Sequence, residues 1–302
     1  MIFKRSDFFR FLGIFLFIYI IARIDIAGTI AAFKGINFVY YSMAVMFLVI
    51  WFLIRTLKWK KLINSVGGSI PANKLFEIMA KGIFLGVVTP GKLGEFWRVQ
   101  YLAESGAVSK GSAFYTAFMD RLIDLLVLAL VAVPGLFVLY LKFNVEAKWQ
   151  FYILSFIAIL FLSFVFLKKI GLRRFSRIFV KTDNFFNEFD NHFKALKPRL
   201  FFELLTYGFL YYLTATTVFY FTALALGIAV SFWYLFLVVA MVWLILTLPI
   251  SFFGLGVREA GFIYFFSIIG VAPSLTVAFS LLALFSNILL ALPGAIIFLR
   301  RR

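Results

Sequence analysis

Six stretches of this sequence, about 8–24, 38–56, 112–141, 151–168, 203–226 and 274–299, run almost free of charge for long enough to cross a bilayer. That constrains the fold more than any single motif does. Only helices and closed barrels satisfy their own backbone in hydrocarbon, and spans of this length are helical. We therefore expect an all-α polytopic membrane protein, with residues 1–302 forming a single integral membrane domain. Composition agrees: 64% of the residues are hydrophobic, 43 of the 302 are Phe, and 14% are charged, against about 25% in soluble domains.

The first stretch, MIFKRSDFFRFLGIFLFIYIIARIDIAG, has the basic start and apolar run of a signal peptide but no small-x-small cleavage site. It reads as an uncleaved first span whose Arg10 and Arg23 snorkel to the two interfaces. There is no Cys, and His192 is the one histidine, so disulfides, thiolate sites and His-based metal centres are excluded. No metal and no cofactor are expected. A net charge of +17 in such a chain points to a positive cytoplasmic face against anionic lipid, and not to nucleic acid.

Two further segments, 75–103 and 232–271, are long enough to cross but are interrupted halfway, at TPGKLGE and SFFGLGVRE. Backbone that leaves the helix at membrane depth must be buried in protein or line a wet cavity. Each segment is expected to be a re-entrant hairpin of two half-helices. With six spans and two such hairpins, most Lys and Arg fall on one side, including nine in 168–200, and both termini are cytoplasmic. The first hairpin then enters from the cytoplasm and the second from the opposite side. These are inverted repeats, a first half of about 1–141 and a second of about 201–302, an arrangement that puts a transporter's site near the bilayer midplane. Between them, 169–200 is basic and carries Phe175, Phe179, Phe186, Phe189 and Phe193 at helical spacing. An interfacial amphipathic helix and a helix packed on the bundle both fit that pattern. His192, in this segment, reads as merely solvated.

Nine charges lie inside the apolar segments, where each costs roughly 2.5–3.5 kcal/mol at the bilayer centre unless it is partnered or wet. Lys81, Lys92, Glu95 and Arg98 belong to the first broken segment, Asp120, Arg121 and Asp124 to one face of a span, and Arg258 and Glu259 to the second break. They can be internal ion pairs, Glu95 with Arg98, Arg121 with Asp124 and Arg258 with Glu259. Alternatively they form one pocket, in which Lys92, Arg98 and Arg258 hold an anionic headgroup and the carboxylates Glu95, Asp120, Asp124 and Glu259 orient them. The half-helix N-termini near Gly94 and Val257 would add N–H donors. Pro90, Gly91, Gly94, Gly254 and Gly256 are the expected breaks or hinges. No nucleophile or catalytic cluster stands out, so an enzyme is not expected.

Five blocks in order, RTLKWKKLI at 55–63, TPGKLGEFWRVQYL at 89–102, DRLIDLLVL at 120–128, PISFFGLGVREAGF at 249–262 and LALPGAIIFL at 290–299, resemble the lysylphosphatidylglycerol synthase transmembrane region, the flippase-like membrane proteins. The resemblance implies translocation of lipids with large polar heads. It singles out the same residues as the charge argument, with Lys92 where the family often has Arg. The sequence ends in RRR with no soluble aminoacyl-transferase domain after it, so synthase activity is not expected. The expected substrate is an anionic lipid, a phospholipid or a polyprenyl-phosphate lipid, in the plasma membrane of a prokaryote. A homo-oligomer or a lipid-synthesising enzyme partner fits this setting. The alternatives are an accessory subunit of a lipid-modifying or glycosylation system, and a membrane-embedded enzyme with Asp120 and Glu95 as acid and base.

Overall fold

Residues 15–89, 94–143, 183–247 and 254–300 are described by a computed structural model, and all regular structure among them is helical, with no strand. Four helices are long and apolar enough to span: α3 (Phe38–Ser65), α6 (Lys110–Phe143), α8 (Pro198–Ala225) and α11 (Pro273–Arg300). Each coincides with an expected span. The stretch 151–168 lies outside the described residues. The shorter helices are α1 (Phe15–Arg23), then α2 (Ile26–Lys34), α4 (Ala72–Val88), α5 (Trp97–Glu104), α7 (Asp183–Lys194), α9 (Phe232–Leu246) and α10 (Val257–Ile268).

Two boundaries differ from the expectation. The first span stops at Arg23, as its charge suggests, but the chain then bends by 87° into α2. This helix is not a loop, because Thr29 donates from Oγ1 to the Ser274 carbonyl at 3.2 Å and so ties α2 to α11. Helix α3 also runs past 56 to Ser65, since LKWKKLINS contains good helix formers and no breaker before Gly67. A bond from the Gly68 N–H to the Ile63 carbonyl, 3.0 Å, closes its end. Arg55 and Lys58 are therefore buried helix residues and not charges of a cytoplasmic loop.

Both broken segments are broken in the structure. In the second, α9 and α10 run antiparallel: the Tyr234 hydroxyl donates to the Phe265 carbonyl, and Val242 packs on Gly261. In the first, the chain turns back so tightly that a Cβ on Gly94 would lie 2.1 Å from the Leu85 carbonyl oxygen. Only glycine fits there. Pro90, Gly91 and Lys92 lie outside the described residues.

The element order repeats with a fixed interval. Phe38 and Pro198 start α3 and α8, Ala72 and Phe232 start α4 and α9, and Trp97 and Val257 start α5 and α10; each pair is 160 residues apart. Helices α3 and α8 are both 28 residues long. In sequence, Gly94 corresponds to Gly254 and Arg98 to Arg258.

The chain forms two compact units, one of Met1–Leu53, Met79–Glu95 and Tyr211–Arg302, the other of Ile54–Ile78 and Phe96–Leu210. The first unit has an aromatic core in which Phe219, Phe262, Phe266 and Phe279 are in ring contact. There α11 approaches α4 so closely that a Cβ on Gly294 would meet the Ala80 carbonyl oxygen at 2.0 Å, the small-residue contact by which membrane helices dock. In the second unit, α7 buries Phe189 and Phe193 against Phe118 of α6. Packing on the bundle, one of the two alternatives for 169–200, is what α7 shows; Phe175 and Phe179 lie outside the described residues. His192 is half-buried and not merely solvated, with Nε2 2.9 Å from the Ser112 hydroxyl and its ring on Tyr115.

Candidate functional site

Helix α3 sorts its charges by face. Arg55, Lys58, Trp59 and Leu62 share one stripe at i, i+3, i+4 and i+7, and all four are buried. In the second unit that stripe meets α5 and α6. Lys58 pairs with both carboxylates of α6: Nζ lies 2.8 Å from Asp120 Oδ1, donates to Asp124 Oδ1, and donates to the Asp120 carbonyl at 3.3 Å. From α5, Arg98 donates through Nη2 to Asp120 Oδ2 at 2.6 Å, and its guanidinium lies 4.8 Å from the Trp59 ring centroid. The Trp59 indole N–H in turn donates to Thr116 Oγ1 at 3.2 Å, which fixes the ring under the guanidinium. Arg55 adds a third buried positive charge within electrostatic reach of Asp120. Two carboxylates thus face three buried cations. Arg121 is more exposed and sits 3.8 Å from Asp124 Oδ2, so Lys58 and not Arg121 is the close partner of Asp124.

The first unit holds a second network at the start of α10. Glu259 caps the helix by accepting from the Gly256 N–H at 2.6 Å, and its other oxygen accepts from Arg258 Nη2 and from the Ser280 hydroxyl, both at 2.7 Å. Arg258 Nε donates to Ser280 Oγ at 2.7 Å. All three side chains are buried. Gly254 and Gly256, with φ of 73° and 79°, carry the chain into the helix through the left-handed region.

The expected ion pair of Arg258 with Glu259 is present, and the close carboxylate of Arg98 is Asp120. Lys81 and Glu95 are buried in the first unit, where Glu95 lies over Gly86 of α4, so near that a Cβ there would be 2.3 Å from Glu95 Cγ. The Gly94 N–H donates to Thr89 Oγ1 at 2.6 Å and the Gly256 N–H to Glu259. At the half-helix starts expected near Gly94 and Val257, the Gly94 and Gly256 donors are thus engaged within the chain. The sequence reasoning did not select Arg55, Lys58, Trp59 or Ser280. The signal for the first three was their shared helical face; for Ser280 it is the repeat interval, since Arg98 to Asp120 and Arg258 to Ser280 are both 22 positions apart. Among the described residues no cluster of His, Asp and Glu could hold a metal ion.

These features define an all-helical integral membrane protein in which Arg98, Asp120 and Asp124 belong to one buried network and Arg258 and Glu259 to another. The chain belongs to the family of the lysylphosphatidylglycerol synthase TM region, whose sequence profile matches residues 9–294. It is also 30% identical over 113 residues to a UPF0104 membrane protein of Methanocaldococcus jannaschii, a match that takes in 36% of this chain and 34% of that relative. The chain thus aligns with about a third of the relative's length.

Proposed function

We propose that this protein is a carrier that moves an anionic, phosphate-bearing lipid headgroup across the membrane while the acyl or polyprenyl tails stay in the bilayer. The observation that carries this is the cation-rich network of Arg55, Lys58 and Arg98 around Asp120 and Asp124. Buried charge of this kind is costly inside a membrane and marks substrate pathways. A phosphodiester monoanion, as in a phospholipid, or a phosphomonoester, as in a polyprenyl phosphate, complements it, and guanidinium groups bind phosphate with two parallel donors. The lipid is chemically unchanged in this proposal, so the protein is not an enzyme.

The repeat interval of 160 residues supports two related halves that insert in opposite directions, with the breaks at 89–95 and 251–258 as re-entrant hairpins. The two networks have diverged: where the first half has Asp120, the second has Ser280, and Glu259 supplies the carboxylate. We assign the anion to the first network and the fixing of α10 to the second network, with Arg258 also contributing to phosphate passage. Location in the plasma membrane with cytoplasmic termini is part of the same proposal.

Reconstitution tests it. Vesicles holding the purified protein and head-labelled phosphatidylglycerol or polyprenyl phosphate report translocation by loss of accessible label, and lipid extraction reports any chemical conversion. Translocation of the anionic lipid over a zwitterionic one, without conversion, is the expected result. Conversion would replace the carrier with an enzyme, and neither activity would favour an accessory subunit. Orientation is tested separately, because the chain has no Cys. Single cysteines at the exposed positions Ser69 and Ala229, 160 residues apart, should label from opposite sides. Labelling from one side refutes the inversion.

A further inference from the structure

The face of α3 opposite the buried network also has an organisation. Leu57, Lys60, Lys61 and Asn64 recur at i, i+3, i+4 and i+7, and with Leu200 and Tyr207 of α8 they line an open groove of about 420 Å³ within the second unit. Nothing in the carrier proposal uses it. Three cations stand at this groove, Lys60, Lys61 and Arg199, against one carboxylate, Glu203, which is in contact with Lys61 and 3.3 Å from Arg199. Lys60 has no carboxylate within pairing distance among the described residues. Among the described residues the groove therefore carries two more positive charges than negative ones.

Its depth follows from helix length. At 1.5 Å per residue, the 28 residues of α3 extend about 42 Å, longer than the roughly 30 Å hydrocarbon core, and the apolar part is its first two-thirds. The last two turns, with Lys60, Lys61 and Asn64, lie at headgroup level, beside the first turns of α8. Tyr207 is suited to that level, with an apolar ring and a polar tip. Deeper along the same faces the unit presents Leu57 and, one turn past Tyr207, Leu210, both exposed, which acyl chains would cover.

We infer that this groove is a binding site for the headgroup of an anionic phospholipid resident in one leaflet. Lys60 and Lys61 pair with its phosphate, Asn64 and Tyr207 hydrogen-bond its oxygens or polar head, and the chains descend along Leu57 and Leu210. The combination of charge with adjacent lipid-facing side chains selects a lipid over a free anion. The site is at the surface of α3, whereas the carrier network is on its buried face, so occupancy here does not depend on translocation.

The test is native mass spectrometry of the full chain released from nanodiscs of phosphatidylglycerol and phosphatidylcholine, counting retained lipid. Wild type should retain phosphatidylglycerol preferentially. Lys60→Gln should lower that retention about fivefold and Lys60→Gln with Lys61→Gln further, since a lysine near a membrane surface contributes on the order of 1 kcal/mol. Lys74→Gln, a half-exposed lysine outside the groove that pairs with Glu77, should leave it unchanged. Should the double variant fold poorly, Asn64→Asp puts a negative charge on an exposed groove position and should lower retention in the same direction. Undiminished retention in the folded double variant or in Asn64→Asp overturns the site. Displacement of the lipid by millimolar inorganic phosphate would reassign it to a free anion. Failure of transport with retention intact would leave the groove standing and reject only the carrier.

Discussion

Arg98 and Asp120 meet at 2.6 Å with side-chain exposures of 2% and 0%, and Asp120 also holds Lys58 at 2.8 Å. A single carboxylate therefore pairs with two cations that come from different helices, α5 and α3. Removing one partner of a buried pair leaves an uncompensated charge, which costs about 3–5 kcal/mol, more than the pair itself contributes.

Asp120→Asn should accordingly destabilise the folded protein by about 3–5 kcal/mol. Asp124→Asn should cost less, about 1–2 kcal/mol, because Asp120 still faces Lys58 after the change. Thermal unfolding in detergent, followed by size exclusion, ranks the two. Equal melting points would show that Asp120 is not the hub.

Arg98→Lys keeps the charge but loses the planar group over Trp59. The stacked contact contributes about 1–2 kcal/mol when desolvated, and a lysine ammonium is too short-armed to reproduce both it and the Asp120 bond. We expect a loss of that size, and we expect Trp59→Phe to make the Arg98→Lys loss smaller. Additive losses in a double-mutant cycle would exclude the stacking.

The helical content and four of the spans were legible because a long apolar run allows few structures. The breaks were legible too, since Gly and charge interrupt otherwise continuous patterns at Gly94 and Gly254. Partners were not. Spacing along one helix proposed Arg121 for Asp124 at i,i+3, yet Lys58, 66 positions away, lies closer. Tertiary packing decides such pairs, and sequence-local rules cannot see it. The end of α3 lies past the expected limit of 56 for a related reason: the charge of Lys58 argues against continuing a span until Asp120 and Asp124 are known to face it. His192 likewise looked solvated because nothing in its own segment announces Ser112, 80 positions earlier.

His192 makes the docking of α7 sensitive to pH. Burial pushes its imidazole below the usual histidine range, and the nearby Glu188 opposes that only in part. The folded state thus prefers the neutral ring. Stability from this contact is complete above about pH 6.5, the ordinary value, and is lost as pH falls from there toward the depressed one. Amide protection factors in 183–194, corrected for the intrinsic pH dependence of exchange, should fall between pH 7 and pH 5 in the wild type and much less in His192→Gln. A pH-independent wild type would exclude the coupling.

Arg258 separates a structural from a transporting role for the second network. Its guanidinium is divided between Ser280 Oγ and Glu259 Oε1, both at 2.7 Å, so Arg258→Ala strands a buried carboxylate and should lower folded yield. Arg258→Lys keeps one charge-assisted bond and should fold. If Arg258 also engages the lipid phosphate during passage, transport per folded Arg258→Lys molecule should drop about tenfold, the equivalent of 1.4 kcal/mol at the barrier, because a lysine lacks the second donor. Ser280→Ala removes a fixing bond without touching charge, and should lower the melting point while leaving that rate within about twofold of wild type. Transport at the wild-type rate by folded Arg258→Ala protein would confine Arg258 to structure, leave the phosphate to Arg55, Lys58 and Arg98, and make the two halves unequal in function as they are in composition.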